Sequence, residues 1–386
     1  MKKLAIITTH PIQYYAPIFR LLQQRNNISI KVFYTLGETI APKHDPGFGK
    51  NISWDIPLLD GYDFEWLVNI SPAPGSHYFK GIVTPGAIEQ IKKYQPDALL
   101  VFGWAYKSHL KIIQYFKGKK PVYFRGDSTL LDKLGVVKST ARQIFLRWVY
   151  ANISHVFYVG TNNRAYYLKH GLNENQMTFA PHAIDNERFS QNHSENAVSF
   201  RAGLGLNNDD ILVLFAGKIE AKKAPLILLQ AFVNLNKSGV HLLYVGNGPL
   251  EIDLKAKSKN VSRVHYIDFQ NQSQMPAIYQ ACDLFCLPSS GPNESWGLAV
   301  NEAMAAGKAI LASDKIGCAT DLVKSMQNGA VFRAGDAADL SEKLGLLTMN
   351  KKRLAKFGAA SKLIIKDWSF EQIALAIENK LLNEAT

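Results

Sequence analysis

Short apolar runs bounded by turn residues alternate along the chain with stretches in which apolar positions recur every three or four residues. In the first half the runs are Leu4 to Thr8, Ile28 to Tyr34, Ala98 to Gly103, Pro121 to Arg125 and Val156 to Gly160. The second half restarts the pattern with Ile211 to Gly217, His241 to Gly246, Val264 to Asp268, Leu284 to Pro288 and Ala309 to Ser313. Near-continuous apolar runs of this length suit parallel strands covered on both faces, so the pattern predicts an α/β protein built of two Rossmann-like βαβ domains. Between the two sets, Asp185 to Asn208 is polar with little apolar period, which places a hinge there. The expected division is 1–190, then 191–368, with a C-terminal helix over 369–386 placed to pack back on the first domain. Parallel sheets of this kind bind ligands outside the carboxyl ends of their strands, so two domains facing each other across a cleft can both contribute groups.

Length and composition agree with this division. The 386 residues exceed what one hydrophobic core usually supports, and 47% hydrophobic with 20% charged residues is ordinary for a globular enzyme. Cys282, Cys286 and Cys318 lie in apolar segments without a partnering His cluster, so reduced core thiols are expected and no metal site. The opening Lys2-Lys3 and Leu4 to Ile7 stop at Thr8-Thr9-His10, short of a signal peptide, and no apolar stretch reaches the roughly 20 residues of a membrane span. A cytoplasmic protein, peripheral on the inner face of the cell membrane if it meets a membrane at all, is the expectation.

Charge refines this picture. Residues 1–192 hold 23 Lys/Arg against 13 Asp/Glu, while the rest hold 21 against 19, so the first half carries nearly all of the net +12. Such a bias suits an anionic partner, and a solvated basic face explains it equally well. Over Val136 to Ile153, Lys138, Arg142 and Arg147 are interspersed with Ile144, Phe145, Trp148 and Val149. That composition fits a helix lying on an anionic membrane surface, and it also fits a helix packing its apolar stripe on the sheet.

The chemistry concentrates in the second half. Asn293-Glu294-Ser295-Trp296-Gly297-Leu298-Ala299-Val300-Asn301-Glu302 follows one strand and runs into a helix, which puts Gly297 and Leu298 at a helix N-terminus suited to a diphosphate. In isolation the two glutamates could be a helix-terminal acid and a solvated helix residue. Upstream, Gly217-Lys218-Ile219-Glu220-Ala221-Lys222-Lys223-Ala224-Pro225 places a glycine and cations directly after a strand. Gly246-Asn247-Gly248-Pro249 follows the next strand; Glu251 stands where a dinucleotide fingerprint needs its third glycine, so a dehydrogenase is excluded.

These three elements closely resemble glycosyltransferase family 4, and the match is strongest over residues 211–340. The resemblance implies the GT-B fold and a retaining glycosyltransferase that moves a sugar from a nucleotide diphosphate to a glycan or lipid-linked acceptor, as in bacterial surface polysaccharide synthesis. The donor is a substrate, and no other cofactor is implied. Lys218, in the family's Arg place, and Lys223 would grip the diphosphate, with Lys222 a bystander. Gly217, Gly246, Asn293, Gly297 and Leu298 would line the donor site, Glu302 would hold the ribose, and Glu294 would orient the transferred sugar. Asp-x-Asp is absent from the chain, which agrees with metal-independent transfer.

The first half matches less fully. His10 and Gln13 follow the first strand, and Arg125 and Asp127 occupy a strand end where many family members carry a His, so these four are candidate acceptor or sugar contacts. An internally paired Arg125-Asp127 turn and a structural His10 are the alternatives. A nucleotide-sugar 2-epimerase of similar fold and a non-catalytic nucleotide- or glycan-binding protein remain as rival functions; nucleic acid is not an expected partner.

Overall fold

The computed structural model describes residues 1–38, 43–45, 49–132, 135–291 and 294–384. Among the described residues, fifteen strands run in chain order as β1 (Lys3–Thr8), β2 (Ser29–Tyr34), β3 (Lys43–Asp45), β4 (Lys50–Ile52), β5 (Phe64–Trp66), β6 (Ala98–Phe102), β7 (Val122–Arg125), β8 (His155–Tyr158), β9 (Met177–Phe179), β10 (Ile211–Ala216), β11 (Val240–Val245), β12 (Val264–Ile267), β13 (Leu284–Leu287), β14 (Ala309–Ser313) and β15 (Gly329–Phe332). They form two compact units. The first comprises residues 1–42, 57–181 and 370–386; the second comprises 43–56 and 182–369.

The first unit is built on a seven-stranded sheet in the order β5-β2-β1-β6-β7-β8-β9, parallel throughout. Its central strands are buried from end to end, as their unbroken apolar runs require: Leu4 to Ile7 and Ala98 to Val101 have no exposed surface. Helices Ala87–Tyr94, Lys107–Phe116, Val136–Tyr150 and Thr161–Lys169 all contribute to the core on one face of this sheet. The terminal helix Phe370–Leu382 belongs to this unit, where the buried Glu378 carboxylate accepts from Arg25 Nε at 3.0 Å and from Asn27 Nδ2 at 3.1 Å.

The second unit carries a six-stranded parallel sheet in the order β12-β11-β10-β13-β14-β15. Leu228, Leu229 and Phe232 of helix Pro225–Leu235 pack into its core with Leu340 and Leu344. Pro225 starts that helix at a position where no backbone donor is needed.

Five strands escape the hydrophobic pattern: β3 and β4, which pair with each other in a separate two-stranded sheet, and β5, β9 and β15, each of which lies at a sheet edge and spans only three or four residues. The polar segment read as a hinge, 185–208, instead holds helices Asn186–Ser190 and Ser194–Gly203 of the second unit, and the division falls between Pro181 and His182. Its polarity comes from surface: of the helix Ser194–Gly203 only Ala197 is buried. Residues 43–56, numbered within the expected first domain, join the second unit, where Asn271 Nδ2 donates to the Ser53 carbonyl at 2.7 Å and the Trp54 ring meets Phe269.

Candidate active site

The loops after β10, β11 and β12 of the second unit are laced together by backbone. Gly217 N donates to Val245 O, Ile219 N to Asn247 O, and Gly246 N to Ile267 O, all at 2.9 to 3.0 Å. The Asn247 side chain completes the lacing, donating to Asp268 Oδ1 at 3.1 Å and accepting from Phe269 N at 2.8 Å. Gly246 has φ +131°, and a Cβ there would lie 2.1 Å from the Gly217 carbonyl oxygen, so only glycine lets these two strand ends approach.

Lys223 ends a short 3-10 turn, Ala221–Lys223, and its ammonium pairs with Glu294 Oε2 at 2.6 Å. The same carboxylate oxygen accepts from Ser289 Oγ at 3.1 Å. Both charged side chains are largely shielded, with 17% of Lys223 and 8% of Glu294 exposed. Lys222 points elsewhere, pairing with Glu220, while its backbone carbonyl accepts from Ser290 N and Gly291 N and so fixes the approach of the 289–291 segment. Lys218, one residue after Gly217, is half-buried.

The segment 294–297 is held from the other side as well. Gly317 N donates to Glu294 O at 3.2 Å and Cys318 N to Trp296 O at 3.0 Å. The buried Trp296 indole donates to Asn301 Oδ1 at 2.9 Å, and Asn301 Nδ2 donates in turn to the His182 carbonyl at 2.8 Å. Gly297, at φ +94°, is the N-cap of helix Leu298–Ala305 and contributes no side-chain cap, and a helix N-terminus of this kind suits an anionic acceptor. Glu302, inside this helix, is buried rather than solvated, and Tyr279 OH donates to its Oε2 at 2.8 Å. Asn293 lies outside the described residues.

In the first unit, His10 and Gln13 are half-buried after β1, with Thr9 Oγ1 2.9 Å from His10 Nδ1. Arg125 is committed to its own unit: buried at the end of β7, it donates to the carbonyls of Ala180 and Pro181, each at 2.7 Å. Asp127 lies near enough to act on Arg125 and on Tyr15, whose phenol is pushed up first by burial and then by Asp127. Tyr15 is a member of this cluster that sequence reasoning did not single out; its position in the loop after β1 was the available signal. Among the described residues no cluster of His, Cys, Asp and Glu is arranged to hold a metal. The three cysteines are buried and unbridged, and burial pushes the Cys282 thiol up to about 12.

This arrangement puts a cation, a carboxylate and a helix start on neighbouring strand-end loops of one parallel sheet, and known proteins are similar to the chain in part of its sequence and in its fold. Residues 198–363 match the family described as Glycosyl transferases group 1. A D-inositol 3-phosphate glycosyltransferase of Nocardia farcinica is 30% identical over 202 residues, 49% of this chain and 43% of that one. A lipopolysaccharide 1,2-N-acetylglucosaminetransferase of Salmonella typhimurium is 26% identical over 219 residues, 54% of this chain and 56% of that one. The chain thus spans about half the length of the curated relatives it matches. Among solved structures, Anabaena HepE in complex with UDP and glucose superposes with a TM-score of 0.72 at 16% identity, covering 100% of both chains. WaaG, a glycosyltransferase involved in lipopolysaccharide biosynthesis, gives 0.69 at 15% identity over 99% of this chain and 100% of that one. Residues 198–363 thus resemble the group 1 glycosyl transferases, and the two parallel α/β sheets share the GT-B fold of these solved structures.

Proposed function

We propose that this protein transfers a sugar from a nucleotide diphosphate to a hydroxyl of a glycan or lipid-linked acceptor, with retention at the anomeric carbon and without a metal. The observation that carries the reading is the 2.6 Å pairing of Lys223 with Glu294 a few residues before the start of helix Leu298–Ala305. As the bond between the sugar C1 and the diphosphate oxygen breaks, negative charge builds on the leaving group. The Lys223 and Lys218 ammonium groups offset that charge, and the Gly297 and Leu298 N–H groups meet it at the positive end of the helix. Glu294, fixed by Lys223 and Ser289, accepts from the sugar's hydroxyls, and Glu302 holds the ribose. The acceptor oxygen forms the new bond to C1, and its proton passes to the leaving phosphate on the same face, so configuration is kept.

Several features support the donor class. HepE was solved with UDP and with glucose, and relatives carry names of transfer to an inositol phosphate and to lipopolysaccharide. The names of those relatives support a role in surface glycan or glycoconjugate synthesis. The test is a thermal-shift screen with UDP-, GDP-, ADP- and dTDP-sugars, followed by product analysis with the donor that stabilises the protein. Release of nucleoside diphosphate together with a glycoside of retained configuration is expected. Release of nucleotide with an altered free sugar and no acceptor requirement would instead establish an epimerase, and binding without any turnover a non-catalytic protein.

A further inference from the structure

A cavity of about 610 Å³ lies within the second unit, at the end of its sheet away from Glu294. Lys308 on its wall directly precedes β14, and Gln280 belongs to helix Met275–Ala281, which leads into β13. The cavity therefore sits at the amino ends of these strands, whereas Glu294 and Gly297 follow the carboxyl end of β13. Helices Ser194–Gly203 and Lys351–Ile365 form its sides, with Ala197 and Arg201 on one and Gly358 and Lys362 on the other, each pair four apart on a single helix face. Gly358 is what lets the second helix come so close, since a Cβ there would lie 1.9 Å from the Gly307 carbonyl oxygen.

Three cations meet in this cavity. Arg201, Lys308 and Lys362 line it, and its described lining holds no Asp or Glu. Arg201 is committed to the fold, donating from Nη1 to Asp283 Oδ2 at 3.0 Å and to the Ala281 carbonyl at 2.8 Å. Asp283 is engaged in turn, for its Oδ2 also accepts from Leu212 N at 2.8 Å. Lys308 is half-buried and uses one of its three protons, on the Gln280 carbonyl at 2.8 Å. A Cβ on Gly307 would lie 2.6 Å from Lys362 Cε, so the stem of this lysine runs beside the residue preceding Lys308. Burial, and after it the charges of Lys362 and Arg201, hold the Lys308 ammonium below its ordinary value against the opposing pull of Cys282 and Asp283. Two neighbouring ammonium groups, neither ion-paired among the described residues, are suited to a dianion such as a phosphate.

The remaining polar wall narrows the ligand further. Exposed Gln191, Asn192 and Ser194 bring amide and hydroxyl groups that both give and accept hydrogen bonds. The volume is that of a small-molecule site, far more than a bare phosphate fills.

We propose that this cavity binds a phosphate monoester of a sugar or small polyol, with the phosphate between Lys308 and Lys362 and the hydroxyls on Gln191, Asn192 and Ser194. The inference is independent of the transfer reaction, because its readout needs neither donor nor acceptor.

Titration calorimetry of the full chain with glucose 6-phosphate and with glycerol 3-phosphate tests it, beside sulfate and glucose, each of which lacks one half of the ligand. At least one of the two esters should bind with a Kd of roughly 1 mM or tighter, and at least tenfold more tightly than sulfate or glucose. Lys362→Glu, a change at an exposed side chain, should weaken that binding at least tenfold while thermal melting stays unchanged. Lys308→Met should weaken it as much; should the lost Gln280 contact lower its melting temperature, Lys362→Glu carries the decision. Failure of both esters to bind, sulfate or glucose binding as tightly as the esters, or ester binding undiminished in Lys362→Glu overturns the proposal.

Discussion

Glu294 and Lys223 lie 71 positions apart in sequence, yet each supplies the other's charge partner in a setting where little of either meets water. Removing one leaves the other shielded and unpaired, so both folding and transfer should respond. Glu294→Gln keeps the volume and the Ser289 contact, and it should lower the transfer rate on the order of 100-fold while moving the melting temperature by only a few degrees. Lys223→Ala should weaken the fold by roughly 1.5 to 3 kcal/mol, the usual loss for a hydrogen bond to a charged group. A double-mutant cycle in urea, with turnover measured beside it, checks both; additive stabilities for the two changes would refute the coupling. The resemblance made Lys223 and Glu294 legible as members of one site, in separate roles; their ion pair is a finding of the structure. Arg125 was not legible, because its partners are the carbonyls of Ala180 and Pro181, more than 50 positions away, and a backbone acceptor leaves no mark on composition.

Among the elements, the helix Leu298–Ala305 depends on how it starts. Gly297 takes φ +94°, and a Cβ there would sit 2.7 Å from Ile316 Cγ2 and 3.2 Å from Leu287 Cδ2. Gly297→Ala should therefore destabilise the protein by about 1 to 3 kcal/mol and weaken nucleotide binding, as read by urea unfolding and by titration with the donor. Unchanged stability with full binding would show that the backbone relaxes there without loss. The buried central strands were readable because burial on both faces forces an unbroken apolar run, as in Leu4 to Ile7. Edge strands such as Phe64–Trp66 escape this rule, since one neighbour suffices and their side chains are only half-buried. The helices over 186–190 and 194–203 were hidden for a related reason: a helix with one buried residue shows almost no period.

At the scale of the whole molecule, stability should depend on acidity through buried imidazoles. Burial holds His109 and His155 down to about 4, against an ordinary value of 6.5. Above pH 6.5 neither the folded nor the unfolded form binds these protons; between 6.5 and 4 only the unfolded form does, so stability falls as pH drops through that window. Urea unfolding at several pH values should show this loss, and His109→Gln should flatten it, whereas equal slopes for both proteins would assign the loss to other groups. A different consequence follows from connectivity, for the backbone passes between the two compact units four times, at 42/43, 56/57, 181/182 and 369/370. A fragment ending at 181 loses the helix whose Glu378 clasps Arg25, and one beginning at 182 loses Ser53 and Trp54. Grafting a foreign second unit onto this first unit therefore requires several matched junctions, and a chimera made by a single splice will inherit one incomplete body.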